Sequence, residues 1–444
     1  MRFAGKLKKV MIALVAAVTF STAGLGIAGA DLQAQAASTP SISAKAAIAV
    51  DASTGQILYD KNSSKPMAIA SMTKMLSTYL VLKAIHEGKL SWDQKISVSK
   101  AVAKMSQNTE YANVPLLSTK TYSVRQLYNA TEIYSANAAI TALGDAVAGT
   151  PHKFVSLMRK TAKSWGITDA TIINASGLTN KEVGSTIGYS NVAASAENEM
   201  SAQDVATVAQ KLLSDYPEVL KTSSIAHAWF EKGTSSATKM DNRNYMLKGL
   251  VKHYSALPVD GLKTGTSTKA GNAFTGTVKF SNGNRIITVV MHAGAANDSG
   301  TERFTQTAEI MSYVYHNYTT TTINKNGKIN GVKAVDVQDG KSLTSQLVSN
   351  SGATKIYLPT GTDASAVTGK VSLKKSATTD GKLQAPVKNG KTVGTVNLNL
   401  SKKAIKVVDG TTSKNMTINV TPKKSIDKAN IFVRMWRGVK SWFN

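Results

Sequence analysis

Apolar residues recur along this chain first at a spacing of two, then at helical spacing, then at two again. Ala46 to Asp51 and Gln56 to Asp60 are short strand-like runs joined by Ala52-Ser53-Thr54-Gly55, which supplies turn chemistry and predicts a hairpin. From Ser71 to His86 the residues Met75, Leu76, Tyr79, Leu80, Val81, Leu82 and Ile85 cover nearly every face of a helix, and Gly88 closes the run where a C-terminal glycine belongs. A helix that is apolar all round is expected in the middle of its domain.

Residues from about 89 to 220 read mainly as helices and loops. Ser123 can cap a helix from Val124, Ala136 to Val147 is a small-residue helix, and Thr150-Pro151 gives a cap and a first-turn proline ahead of His152 to Trp165. Ser201 and Asp204 resemble a capping box before Val205 to Leu213. Between Asn174 and Met200 the chain is rich in Gly, Ser and Asn and predicts a long loop, of the kind that often carries function. Strand patterns return at Val259 to Thr266, Asn272 to Phe280 and Arg285 to His292, the last two joined by a turn containing Asn282-Gly283. A helix is predicted from about Thr301 to Tyr318. This order predicts an α/β domain: one antiparallel sheet with strands from both ends of the segment, a helical subdomain inserted, and the site between them.

Beyond Thr319 the composition shifts to Thr, Lys, Val, Gly and Ser. Short alternating runs such as Ala353 to Leu358, Val367 to Leu373, Thr392 to Leu400, Ala404 to Val408 and Met416 to Val420 predict a small all-β domain, a sandwich by pattern. At the end, Ile431, Phe432, Met435, Trp436, Val439, Trp442 and Phe443 fall on one helical face, with Lys428, Arg434, Arg437 and Lys440 on or near the other. Such a helix is too short and charged to span a bilayer and reads as an interfacial membrane anchor; packing on its own β domain or a partner is the other reading. The layout is thus a leader over 1–36, a catalytic domain over 37–318, an all-β domain over 319–422 and an amphipathic tail over 423–444.

The leader fixes the compartment. Arg2, Lys6, Lys8 and Lys9 precede an apolar run from Val10 to Phe20, and Ala34-Gln35-Ala36 fits a signal-peptidase site, with Ala28-Gly29-Ala30 as a competing one. The protein is therefore expected to be exported, to the outer face of the cytoplasmic membrane and the cell wall. There is no cysteine in 444 residues, which excludes thiol chemistry and leaves stability to packing. The chain carries 53 Lys and Arg against 27 Asp and Glu, a formal charge of +26. That balance suits an anionic surrounding, but the basic residues are scattered without interleaved aromatics, so no nucleic-acid partner is expected.

Chemistry enters with Ser71-Met72-Thr73-Lys74. Residues three apart on a helix share a face, so a hydroxyl nucleophile and an amine base can meet there, provided burial or neighbouring cations keep the amine neutral. Alone, the tetrapeptide reads rather as a helix N-cap, Ser71, beside a solvated first-turn lysine, Lys74. Ser135-Ala136-Asn137 lies between two predicted helices, where Ser135 could pass a proton and Asn137 could hold Lys74 or a substrate amide; it too could be a cap. Lys263-Thr264-Gly265, followed by Thr266, sits in a predicted strand at the sheet edge. There a cation and a hydroxyl could bind a carboxylate, and a glycine could let substrate backbone approach. A basic strand edge that discourages aggregation is the alternative.

In this order, the three motifs resemble the S-x-x-K, S-x-N and K-T-G elements of penicillin-binding proteins and serine β-lactamases. The chain is most similar to the low-molecular-mass D-alanyl-D-alanine carboxypeptidases. Ala47-Ile48-Ala49-Val50-Asp51 with Gly55, Asn242-Arg243-Asn244, Asp260-Gly261-Leu262, Arg303-Phe304 and Ala385-Pro386-Val387 look like that family as well. The resemblance implies a penicillin-binding-protein fold and an acyl-transfer cycle on the D-Ala-D-Ala end of the peptidoglycan stem peptide, needing no cofactor and no metal. Ser71 is implied as nucleophile, Lys74 as base and Ser135 as proton relay, with the backbone amides of Ser71 and Thr266 as oxyanion hole. Asn137, Lys263, Thr264, Gly265, Thr266 and Arg303 are implied in binding, and β-lactams as covalent inhibitors of Ser71. Ala136 stands where the family more often has glycine, and Thr266 where a histidine is frequent. A β-lactamase or endopeptidase of the same fold, or a wall-binding protein without activity, are the alternatives; Glu197 and Glu199 lack the E-x-x-L-N setting of class A lactamases.

Overall fold

The computed structural model describes residues 39–440; the leader, Trp442 and Phe443 lie outside the described residues. A five-stranded antiparallel sheet runs in the order Ile57–Lys61, Ala46–Asp51, Arg285–Met291, Gly271–Lys279, Val259–Ser267. The first strand pairs with a late one along its whole length, Ala46 opposite Met291 through Asp51 opposite Ile286, so the two ends of the segment meet as the pattern predicts. Side chains alternate across a strand. Ala46, Ile48 and Val50 therefore enter one core with Ile287, Val289 and Met291, while Ala47 and Ala49 enter a second with Ile286, Val290, Phe274 and Val278. The helix Glu302–Asn317 closes the second core through Phe304, Ile310, Met311 and Val314. The inserted helices close the first.

The central helix begins later than its pattern. A 3₁₀ turn over Ala70–Thr73 precedes an α-helix over Lys74–His86. Ala70 has φ +44°, outside the right-handed region, so the α-helical ladder stops short of it. A 3₁₀ turn eclipses residues three apart, which suits Ser71 and Lys74 better than an α-turn does. Further on, Met75, Leu76, Leu80, Val81 and Leu82 are buried on all sides, as predicted.

Helices follow over Lys100–Ser106, Val124–Tyr134, Asn137–Ala148, Pro151–Ser164 and Ala202–Asp215. Capping boxes form at Ser123 with Gln126 and at Ser201 with Asp204, and the Thr150 hydroxyl accepts from the Lys153 amide. The predicted loop before Met200 holds only the two-residue strand Glu199–Met200, paired with Met67–Ala68. Several elements carry no clear pattern in the sequence: the helices Lys100–Ser106 and Val219–Ser223, the strand pair Lys95–Ser97 with Thr121–Ser123, and a hairpin of His227–Phe230 with Thr238–Asp241. They are short, and the hairpin is largely solvated, so no apolar period marks it.

The remaining chain is an all-β domain. Strands Val367–Leu373, Gly394–Leu400 and Thr417–Pro422 form its larger sheet, and Val337 and Leu383 from a smaller sheet share a core with Val396, Leu398, Ile418 and Val420. It is clasped to the first sheet. The Gln56 side chain accepts from the Tyr357 amide (2.8 Å) and donates to the Tyr357 carbonyl (2.9 Å), acting as one more strand residue. The helix Ile431–Lys440 ends the described chain. Arg437 donates to the Gly340 carbonyl at 2.7 Å and Arg434 pairs with Asp339, which turns Ile431, Phe432, Met435, Trp436 and Val439 outward. Among the described residues no helix is long and apolar enough to cross a membrane.

Candidate active site

The turn Ala70–Thr73 is held from two sides. Strand Val259–Ser267 passes beside it with Gly265 in contact: a Cβ there would lie 2.6 Å from the Ile69 carbonyl oxygen and 3.2 Å from Met72 Cγ. The expected use of that glycine, admitting substrate backbone, is therefore joined by a structural one, admitting the nucleophile turn. From the other side comes the loop after Asn174. Asn174 Oδ1 accepts from the amides of Ser176 (3.0 Å) and Gly177 (2.7 Å), and Asn198 donates to both the Asn174 carbonyl (2.8 Å) and Thr73 Oγ1 (3.0 Å). This network fixes the Ser176 carbonyl under the turn.

Lys74 is fully buried in that setting. Its Nζ lies 2.9 Å from Ser71 Oγ, 2.6 Å from Asn137 Oδ1 and 2.7 Å from the Ser176 carbonyl oxygen. Burial first, and the Lys263 charge second, hold its pKa well below the usual lysine range, against an opposing pull from Glu132. A neutral amine has two N–H bonds and one lone pair. Two carbonyl oxygens take the N–H bonds, which leaves the lone pair for the Ser71 hydroxyl.

Ser71 caps neither the turn nor the central helix, whereas Ser135 is the C-cap of the helix Val124–Tyr134, so the cap reading holds there alongside the chemical one. The central helix has Thr73 at its N-cap with no side-chain bond there, and Ser135 sits in the left-handed region (φ +65°) between two helices. Asn137 is pinned by its own side chain and amide, which donate to the Ala112 carbonyl at 3.0 and 2.9 Å. Ser71, Ser135, Asn137, Thr264, Thr266 and Arg303 line one cleft of about 230 Å³, with Tyr111, Arg243 and Tyr245 on its walls.

Lys263 is buried beside the cleft and donates to the Thr264 carbonyl at 3.1 Å, so it is not a solvated strand-edge charge. Its pKa is lowered by burial, with Glu132 opposing and Arg243 and Arg303 adding to the shift. Arg303 Nη1 donates to the Gly265 carbonyl (3.0 Å) and to Thr266 Oγ1 (2.8 Å). Burial brings its pKa down to about 10, with Tyr245 opposing and Arg243 adding. Cations gathered beside two serines suit a substrate that ends in a carboxylate. Glu197 is tied up elsewhere, accepting from Ser267 Oγ at 2.5 Å, and lines no part of this cleft.

The sequence profile of D-alanyl-D-alanine carboxypeptidases matches residues 33–295, more than half of the chain. The chain belongs to the D-alanyl-D-alanine carboxypeptidase family. This carboxypeptidase is 28% identical over 353 residues to the D-alanyl-D-alanine carboxypeptidase DacF of Bacillus subtilis, with 80% of each chain covered. It is 29% identical over 378 residues to DacC of Escherichia coli, with 84% of each covered. Among solved structures, the carboxypeptidase is similar to a peptidoglycan synthesis regulatory factor (PBP3) of Streptococcus pneumoniae: TM-score 0.68, 32% identity, 87% of this chain and 100% of that one. Penicillin-binding protein D2 of Listeria monocytogenes, solved in a cefotaxime-bound form, gives a TM-score of 0.50 at 30% identity, over 62% of this chain and 98% of that one. The carboxypeptidase thus has the penicillin-binding-protein fold with an added all-β domain, and is an enzyme of the serine peptidase class.

Four groups that the motifs did not point to complete the site: the Ser176 carbonyl, Gly177, Asn198 and the buried Glu132. The loop composition marked the region of the first three; Glu132 carries no signal in the sequence.

Proposed function

We propose that this carboxypeptidase removes the terminal D-alanine of peptidoglycan stem peptides through an acyl-enzyme on Ser71. The observation that carries the reading is the Lys74 amine, buried, with two carbonyl oxygens on its N–H bonds and the Ser71 hydroxyl at 2.9 Å. Ser71 Oγ attacks the carbonyl carbon of the penultimate D-alanine while its proton passes to Lys74. The backbone amides of Ser71 and Thr266 hold the oxyanion. Collapse breaks the C–N bond, and the departing D-alanine amine takes a proton relayed through Ser135. Water then attacks the ester, gives a proton to Lys74, and Ser71 leaves with that proton restored. Lys263, Thr264 and Arg303 hold the terminal carboxylate until the D-alanine departs, beside the small Gly265, and Asn137 orients Lys74. A β-lactam, whose leaving group stays tethered after ring opening, acylates Ser71 and remains.

The reading includes export by the leader, a catalytic domain over 37–318, an all-β spacer over 319–422, and attachment of the tail 423–444 to the outer face of the membrane. The outward row Ile431, Phe432, Met435, Trp436 and Val439 supports attachment, because exposed aromatics at a chain end favour an interface over water.

The test is mass spectrometry of diacetyl-Lys-D-Ala-D-Ala digests, run beside labelling with a fluorescent penicillin. The protein should release one D-alanine and take the label, and Ser71→Ala should do neither. A labelled Ser71→Ala variant overturns the nucleophile.

A further inference from the structure

Glu132 stands three residues before Ser135, in the last turn of the helix Val124–Tyr134, with its side chain turned inward and the residue 7% exposed. Its neighbours Leu127, Ala130, Thr131 and Ile133 are all core residues, and a carboxylate in such surroundings is unfavourable unless something compensates it. Among the described residues its carboxylate accepts one side-chain hydrogen bond, from Thr78 Oγ1, 2.6 Å from Glu132 Oε1. Thr78 lies one turn beyond Lys74 on the central helix, so the carboxylate sits under the base. Among the described residues Glu132 forms no ion pair, yet two lysines favour its charged form: Lys263 from the edge strand and Lys74 from the central helix. Among the described residues no other element packed on it adds a charge. Tyr128, one turn back on its own helix, is buried and un-ionised, and Glu218 beside the helix Val219–Ser223 acts on Tyr128 instead.

We propose that Glu132 is a positioning residue of the acyl-transfer site: the buried carboxylate held by Thr78 is the countercharge against which Lys74 and Lys263 gain and lose protons. The proposal rests on the roles of Ser71 and Lys74 given above. Acylation puts the Ser71 proton on Lys74, creating a buried ammonium, while Lys263 must stay charged to hold the substrate carboxylate. One negative charge near both lysines serves both needs, because it favours the ammonium form of each. Burial, the largest influence, holds the Glu132 carboxyl above the usual carboxylate range, and the Thr78 bond, Lys263 and Lys74 pull it back toward the ionised form.

The test is the pH profile of kcat/KM on a D-Ala-D-Ala peptide for Glu132→Gln, which keeps the shape and an acceptor for Thr78 but removes the charge. Without the charge both lysines release protons at lower pH. The acid limb, where Lys74 must be neutral, and the alkaline limb, where Lys263 must be charged, should move down together by about one pH unit. KM at the alkaline end should rise several-fold, on the order of the shift. Glu132→Asp should move the profile back toward that of the unaltered protein. Thr78→Val, which removes the bond that favours the ionised carboxyl, should move it in the same direction as Glu132→Gln by less; it carries the test alone if the glutamine variant does not fold. A profile that stays in place, or a rate that falls equally at every pH, overturns the proposal and leaves Glu132 a structural residue. A Ser71→Ala variant that still acylates overturns the underlying site reading instead.

Discussion

The carbonyl oxygen of Ala70 occupies the space that a side chain on Gly177 would need: a Cβ there would lie 1.9 Å from it. Gly177 also has φ +85°, a conformation that L side chains rarely adopt. With Gly265 pressing on Ile69 from the other side, the turn that carries Ser71 is clamped between two glycines, each positioned by a different part of the chain.

Gly177→Ala should therefore damage the site more than the fold. The backbone conformation alone costs about 1–2 kcal/mol, and the overlap with Ala70 forces the loop outward, taking the Ser176 carbonyl from Lys74. Misplacement on the scale of 1 Å lowers rates by about 10²-fold, so penicillin acylation should fall at least that far. Gly184→Ala is the control: its φ is +82°, but nothing lies within 4 Å of the added carbon. It should lower the melting temperature with acylation unchanged. Equal acylation losses in the two variants would mean that backbone strain, not the clamp, matters.

How far the sequence announced this arrangement follows from the range of each interaction. Local chemistry was legible: Ser123 with Gln126 and Ser201 with Asp204 are capping pairs set by residues three apart, and the period-two runs mark the strands that pair in the main sheet. The three motifs carry Ser71, Ser135 and Lys263, because the resemblance rests on short contiguous stretches. What the sequence hid is long-range. Asn198 reaches Thr73 across 125 residues and Lys74 reaches the Ser176 carbonyl across 102, and a backbone acceptor has no residue type to betray it. Glu132 reads as one more polar position on a helix until the packing shows that it is inside. The late start of the central helix escaped for a related reason: its apolar pattern runs on through Met72, and only the left-handed Ala70 interrupts the ladder.

The depressed pKa of Lys74 also predicts a stability effect with a definite sign. A lysine whose folded pKa lies below its unfolded value binds fewer protons in the native state, so unfolding is favoured as protons become available. The penalty is complete below the folded pKa of Lys74 and shrinks as pH rises toward the ordinary lysine range near 10.5. Lys74→Met keeps the length and removes the titrating group. Its stability relative to the unaltered protein, measured by denaturant unfolding across that range, should be most favourable at the acid end and decline as pH rises. Whatever constant loss comes from stranding Asn137 Oδ1 and the Ser176 carbonyl adds equally at all pH values and leaves the slope. A flat difference would mean that Lys74 stays protonated in the folded protein, and that the base must be sought elsewhere.

The tail gives a prediction that depends on where it is cut. Residues before the last helix are part of the β domain's packing: Ile426 and Ala429 are buried, Ile426 and Val387 exchange backbone hydrogen bonds at 2.8 and 2.9 Å, and the Ala429 amide donates to the Asp339 carbonyl. A truncation at 423 would unpick that edge and confuse anchoring with stability. Removal of 431–444 takes away the helix alone, and with it the outward Ile431, Phe432, Met435, Trp436 and Val439. The cleft lies in the other part of the chain, so hydrolysis of a soluble D-Ala-D-Ala peptide should be unchanged. Binding to phospholipid vesicles, followed by sedimentation, should be lost. Phe432→Ser with Trp436→Ser should weaken it in the full chain, each buried aromatic contributing about 1.5–3 kcal/mol. If the truncated protein still sediments with vesicles, the basic β domain or the leader holds the membrane, and the helix, fixed by Arg434 and Arg437 to its own domain, presents its apolar row to a protein instead.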